Sequence, residues 1–275
     1  MLGKRAEKEE TPPFIPSAVI DVQNLTKRYG DVTVVNDLSF KVHRGTTVAL
    51  LGGNGAGKTT TISMLMGVLL PTSGSIRVLG ENMIRDRFRI MHRINFSSPY
   101  VDMPKRLSVR QNLMFFARLF GLKKPRDRIA ELVNDLQLKD FLKRPVGTLS
   151  AGQKTRVSVA KALINRPDIL FLDEPTASLD PDTADWLRSY LEDYQRQSGA
   201  AIMLASHNMA EVERLCDHVL MMKNGQIVDN GTPEGLLERY GRTNMEEVFL
   251  DIARDRQKIE PDNLPEFNNG GQGHE

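Results

Sequence analysis

Two hydrophobic rhythms divide this 275-residue chain. From Val19 to Phe40 apolar and polar positions alternate in short stretches, broken at Tyr29-Gly30-Asp31 and at Asn36-Asp37. A period of two predicts antiparallel strands with one buried face. Val48-Ala49-Leu50-Leu51, Ile169 to Leu172 and Ile202 to Ala205 are short unbroken apolar runs. Such runs predict parallel strands covered on both faces. A helix is predicted from Lys58 towards Leu70, where Pro71 stops it. Between Ser108 and about Phe141 the period changes. Leu113, Phe116, Ala117 and Phe120, then Ile129, Leu132, Val133 and Leu136, recur at helical spacing. That stretch is a helical insertion, and a further helical run spans Lys154 to Asn165. Val219 to Met222 and Gln226 to Val228 flank Lys223-Asn224-Gly225, a hairpin signal.

These elements predict an α/β fold with a mainly parallel sheet, an N-terminal antiparallel β subdomain and a helical insertion subdomain at about 101–148. The folded unit runs from 18 to 255. Residues 1–17, rich in Lys, Glu and Pro, and residues 256–275, with Asn268-Asn269-Gly270-Gly271-Gln272-Gly273, read as disordered tails. No internal repeat is visible, so one such unit is expected.

Composition narrows the classes. With 40% hydrophobic residues the chain can bury one large core, or one core and a smaller lobe. Lys plus Arg number 37 against 35 Asp plus Glu, and this near balance gives no ground for a nucleic-acid partner. The one cysteine, Cys216, permits no intramolecular disulfide and reads as a small buried apolar residue. Met1 to Pro16 is charged and Pro-rich, unlike a signal peptide. No run approaches the roughly 18 apolar residues of a spanning helix. A membrane role would therefore be peripheral, through a partner.

Two segments carry chemistry. Gly52-Gly53-Asn54-Gly55-Ala56-Gly57-Lys58-Thr59 fits the G-x-x-x-x-G-K-[ST] phosphate loop, with Thr60 following, between a buried strand and a helix. Glycines let the backbone wrap phosphates and aim its N–H groups inward, and the helix adds its positive N-terminal end. Lys58 is placed to reach the β- and γ-phosphates, and the Thr59 hydroxyl to bind Mg²⁺. The fold class is thereby a P-loop NTPase core. Asp173-Glu174 ends the strand Ile169 to Leu172, at the carboxyl edge where open α/β sheets bind ligands. Asp173 would hold Mg²⁺ and Glu174 would polarise the attacking water.

Leu149-Ser150-Ala151-Gly152-Gln153 sits between the insertion and that strand. Here the chain resembles the ATP-binding cassette (ABC) ATPases, whose signature is L-S-G-G-Q; Ala151 is a mild departure. Ser150 and the N–H of Gly152 at a helix start form a second anion site, and Ser150 with Gln153 also fits a capping box. The resemblance covers nearly all of 18–232. It implies an ATPase that sandwiches ATP and Mg²⁺ head-to-tail between two copies of itself. It implies a peripheral position on the cytoplasmic face of the membrane, on an integral-membrane permease. It further implies that Tyr29 stacks on adenine, that Ser178-Leu179-Asp180 is the D-loop facing the second copy, and that His207 is the switch histidine on the γ-phosphate. Where the family has a loop glutamine after Ile94-Asn95-Phe96, this chain has Ser97-Ser98-Pro99-Tyr100, and Ser98 is the nearest polar substitute. The segment Gly241 to Leu250 resembles the end of export ATPases that pair with a separate six-helix permease. The loop 95–106 and the helical insertion are the expected grip on that permease. Two rivals remain: an ABC ATPase of ribosomes, DNA repair or iron–sulfur assembly, and a non-hydrolysing regulator, to which the missing glutamine points. Against these stand the single cassette without a long coiled coil, and the intact Lys58, Asp173, Glu174 and His207.

Overall fold

The computed structural model describes residues 18–98, 103–177 and 179–254. The predicted disordered tails lie outside them. The first strands are β1 (Ala18–Tyr29), β2 (Val32–His43), β3 (Thr47–Gly52), β4 (Ser73–Val78) and β5 (Glu81–Asn82). They are followed by β6 (Ile94–Ser97), β7 (Ile169–Asp173), β8 (Ala201–Ala205), β9 (His218–Lys223) and β10 (Gln226–Gly231). An antiparallel sheet has the order β2-β1-β4-β5, and a second sheet the order β10-β9-β3-β8-β7-β6. In the second sheet β9, β3, β8, β7 and β6 run parallel, and β10 closes the edge antiparallel.

The unbroken apolar runs follow from this position. Every residue of β3 is buried, as is every residue of β8. Successive side chains of a strand point to opposite faces, so each run feeds two cores. Val48, Leu50, Ile169, Phe171 and Met203 pack with Ile20, Val35 and Leu38 of the antiparallel sheet. Ala49, Leu51, Leu170, Leu172 and Leu204 pack against the helices on the other face. Cys216 belongs to that helical core, with its thiol pushed up by burial.

The helices are α1 (Lys58–Leu65), α2 (Val109–Leu119), α3 (Pro125–Asp135), α4 (Ala151–Ala162), α5 (Pro181–Ser198), α6 (Met209–Leu215), α7 (Pro233–Tyr240) and α8 (Met245–Ala253). None is long and apolar enough to cross a membrane. The first is shorter than its sequence predicts. Gly67 takes φ +68°, and the N–H groups of Val68 and Leu69 both turn back to Ser63 O, so the helix closes before Pro71 is reached. The helical insertion is α2 and α3, joined through Gly121 at φ +70°. Ser108 opens α2 with a full capping box to Gln111. The hairpin turn holds Asn224 and Gly225 at φ +50° and +77°, the pair of positive values that a two-residue turn of matching twist requires.

Asp168, just before β7, fastens the strand to its surroundings. Its carboxylate accepts Arg44 Nη2 at 2.6 Å and Arg93 Nε at 2.8 Å. Burial alone would raise its carboxyl, but the two guanidinium partners together hold it below the usual range. A depressed carboxyl stabilises the fold above its unfolded value, and that stability is lost as pH falls through the folded value. Asp168→Asn is expected to cost about 1 kcal/mol at pH 7. The gap from the parent should close as pH falls through the carboxylate range, read from paired melting curves.

Candidate functional site

The carboxyl ends of β3 and β7 place the site. Past β3 the chain must turn tightly against β9, and the glycines follow from that crowding. A Cβ on Gly52 would stand 2.5 Å from Met222 O. One on Gly57 would stand 2.8 Å from Val34 O, and its φ of +101° is in any case closed to other residues. Gly55 also has positive φ, at +78°. Asn54 and Gly55 are exposed, whereas Ala56 is buried in the sheet-side core. Lys58, the first residue of α1, bends back over this loop: Nζ donates to Gly52 O at 2.6 Å and Gly53 O at 3.1 Å. Burial lowers its ammonium, while Glu174 and Asp173 pull the other way. Thr59 is exposed at the helix mouth, and Thr60 is half-buried beside it.

At the end of β7 the Asp173 carboxyl is pushed up, first by burial and then by Glu174, against the opposing influence of Lys58 and of a hydrogen bond from Ser98. Ser98 is buried just past the end of β6, so this hydroxyl meets the aspartate where the family glutamine would begin its loop. Glu174 takes φ +51°, a left-handed conformation uncommon for a residue with a side chain and concentrated at functional sites. Its N–H bonds Ala205 O at 2.8 Å, which anchors the turn to β8. Both carboxylate oxygens then face His207. Nδ1 of the ring lies 2.6 Å from Oε1, and the backbone N–H of His207 donates to Oε2 at 3.4 Å. The glutamate side chain is only 14% exposed and the histidine ring 75% exposed, so the acid is sheltered and the ring reaches outward.

Three further predicted residues lie on other elements. Tyr29 ends β1 with 52% of its surface exposed, and Lys27 Nζ lies 4.9 Å from its ring centroid. The residue is thus exposed rather than buried in its strand, as stacking on a base requires. Ser150 is the N-cap of α4, in a capping box with Gln153. Ser150 and Ala151 are exposed, and Gly152 is half-buried against Thr183. Asp180 caps α5 by accepting Thr183 N at 3.0 Å, which holds its carboxyl below the usual range. Ser178 of the same loop, and Pro99 and Tyr100 of the loop after β6, lie outside the described residues. Sequence reasoning missed Thr176 and Glu211, both buried behind Glu174 and His207. A polar residue beside a catalytic motif was the only available signal.

No group of three or more His, Cys, Asp or Glu able to hold a metal occurs among the described residues. The hydroxyl and carboxylate oxygens of Thr59 and Asp173 are nevertheless the hard donors that Mg²⁺ prefers, and it commonly completes its shell with substrate phosphates and water. The raised carboxyl of Asp173 is the strain a cation there would relieve.

The family model described as ABC transporter matches residues 35–177. A Nod factor export ATP-binding protein I of Ralstonia nicotianae is 38% identical over 253 residues, covering 90% of this chain and 77% of the relative. A solved ATP-binding subunit of an ABC transporter aligns with TM-score 0.78 at 27% identity, over 86% of this chain and 99% of the other. A subunit of the cbiONQ ABC transporter complex of Clostridium perfringens aligns with TM-score 0.73 at 28% identity, over 87% and 97%. With its phosphate loop, paired acids and exposed second helix tip on this fold, the chain belongs to the ABC transporter family, as an ATP-binding and ATP-hydrolysing subunit.

Proposed function

We propose that two copies of this chain close head-to-tail on two ATP molecules and so drive an export permease from the cytoplasmic face of a membrane. The observation that carries this is a split site. Lys58, Asp173, Glu174 and His207 converge on one edge, while the exposed Ser150–Gly152 tip of a different helix is capped by Ser150 and would serve as a second anion site. In the closed pair each ATP would lie between the Gly52–Thr60 cradle of one copy and Ser150, Ala151, Gly152 and Gln153 of the other. Tyr29 would stack on adenine, and Asp180 would face the second copy.

Lys58 then leaves the carbonyls of Gly52 and Gly53 for the β- and γ-phosphates. Glu174 turns one oxygen from His207 to a water molecule and takes its proton. The water oxygen attacks the γ-phosphorus, the bond to the bridging oxygen breaks, and ADP departs with that electron pair. His207 holds the γ-phosphate oxygens during the transfer. Thr59 and Asp173 would hold Mg²⁺, with Ser98 steadying the aspartate. When bound, the metal would neutralise charge on the β- and γ-phosphates. Loss of the γ-phosphate removes the bridge between copies, and the pair opens.

The export direction is supported by the relatives, which are Nod factor export ATP-binding proteins, and by the segment from Gly241 to Leu250, which forms a turn and then α8. The cbiONQ relative works as part of a multi-subunit complex, which supports a permease partner. The folded unit 18–255 supplies the motor, and the helices of 101–148 with the loop 95–106 supply the grip; residues 99–102 of that loop lie outside the described residues. Affinity purification from detergent-solubilised membranes tests this. A multi-span permease should co-purify, and reversing charge at Lys105 and Arg106 should reduce its yield severalfold. Recovery from membranes without any such partner would contradict the reading.

A further inference from the structure

The hydrolytic steps above leave one buried acid beside the site unused. Glu211 stands in the first turn of α6 and is fully buried. Its Oε2 accepts the Ser206 hydroxyl at 2.5 Å, and the oxygen of that hydroxyl accepts the N–H of Asn208 at 3.0 Å. Its Oε1 is buried without a hydrogen-bond partner. Thr176, buried just after Glu174, lowers the same carboxyl through its hydroxyl, and Arg188 of α5 and Glu174 itself bear on its charge. Burial pushes its carboxyl upward. One carboxylate therefore lies beneath both catalytic loops, in contact with the residue before His207 and beside the turn that begins at Glu174.

A buried acid with an unpaired oxygen is a poor choice for packing alone. Val212, its neighbour on α6, already fixes that helix in the core. The loops also need a tie that survives turnover. His207 ring and backbone both bind the Glu174 carboxylate, and those contacts must loosen when Glu174 turns to water. The bond from Glu174 N to Ala205 O holds the root of the turn but reaches neither Ser206 nor His207.

We propose that Glu211 is a positioning residue for ATP hydrolysis: its carboxylate ties the His207 loop to the Glu174 loop and sets the spacing at which the two side chains meet the γ-phosphate. This rests on the hydrolytic roles given to Glu174 and His207 above. Glu211→Ala removes the tie. Glu211→Gln fills the same space and keeps a carbonyl oxygen for the Ser206 hydroxyl.

Phosphate release at saturating ATP and the ATP dissociation constant are measured separately for the parent and both variants. Small misplacements at a reacting centre cost up to about 100-fold in rate, so turnover of Glu211→Ala should fall about 10- to 100-fold. Its ATP affinity should stay within about threefold, since the tie acts on the chemical step. Glu211→Gln should recover most of the lost turnover. Ser206→Ala should slow turnover alone and add little on top of Glu211→Ala, because the pair acts as one unit. Unchanged turnover in Glu211→Ala overturns the proposal. So does a parallel loss of affinity and rate, or a glutamine variant as slow as the alanine one. If Glu211→Ala does not fold, Ser206→Ala decides: full turnover there overturns the tie, and slowed turnover with intact affinity supports it. A parent chain that releases no phosphate refutes the hydrolytic reading itself and this proposal with it.

Discussion

Glu174→Gln is expected to bind ATP as the parent does and to release phosphate at least about 100-fold more slowly. The substitution is isosteric, and the turn that holds the residue is fixed by backbone: Glu174 N–H on Ala205 O, and Ala177 N–H on Glu174 O. What disappears is basicity. An amide cannot take a proton from water, and general base catalysis supplies about 10²–10⁴ in rate. The amide can still meet His207 through its carbonyl oxygen, so the His207 loop should keep its place. Removing a negative charge beside Asp173 also eases the mutual repulsion that raises the aspartate carboxyl. ATP affinity should therefore hold or improve. Single-turnover phosphate release and equilibrium binding read the two halves separately. Full turnover would remove Glu174 from the role of base.

Lys58→Ala should act on the opposite half of the cycle, with ATP affinity falling about 30- to 150-fold, equivalent to about 2–3 kcal/mol. In the structure its ammonium is partly desolvated, which lowers it, and among the described residues it donates to two loop carbonyls. Phosphate oxygens carry full charge and make stronger hydrogen bonds than neutral carbonyls. The binding energy comes from that exchange. Lys58→Arg should not rescue it, because a planar guanidinium does not fit a loop closed around a compact ammonium. The fold should survive both changes, since Lys58 holds no apolar core position. Equilibrium dialysis with ATP, next to a melting curve, checks the two statements. Parent-like affinity in Lys58→Ala would mean that the glycine cradle binds phosphate without it.

Much of this was legible in sequence for physical reasons. Strands buried on both faces must be apolar at every position, so β3, β7 and β8 announce themselves. The phosphate loop is equally visible, because the crowding at Gly52 and Gly57 admits no other residue. Interactions across the chain were hidden. Ser98 could be named as a substitute for the glutamine, but its bond to Asp173 depends on β6 lying parallel to β7, which no local pattern reveals. Glu211 reads as an ordinary surface acid in a helical first turn until α6 is packed beneath Ser206. The true end of α1 was obscured because Pro71 is the louder stop signal, while Gly67 acts first through its backbone. Positive φ at Glu174 leaves no trace in composition at all.

Sedimentation velocity of Glu174→Gln with saturating ATP, alone and combined with Ser150→Asp, tests most directly whether two copies share each nucleotide. Aspartate caps a helix as well as serine does, so α4 keeps its start, but it sets a negative charge against the γ-phosphate. The account predicts a dimer for Glu174→Gln that forms only with ATP and is lost in the double variant. A monomer with ATP bound, or a dimer indifferent to Ser150→Asp, would contradict it.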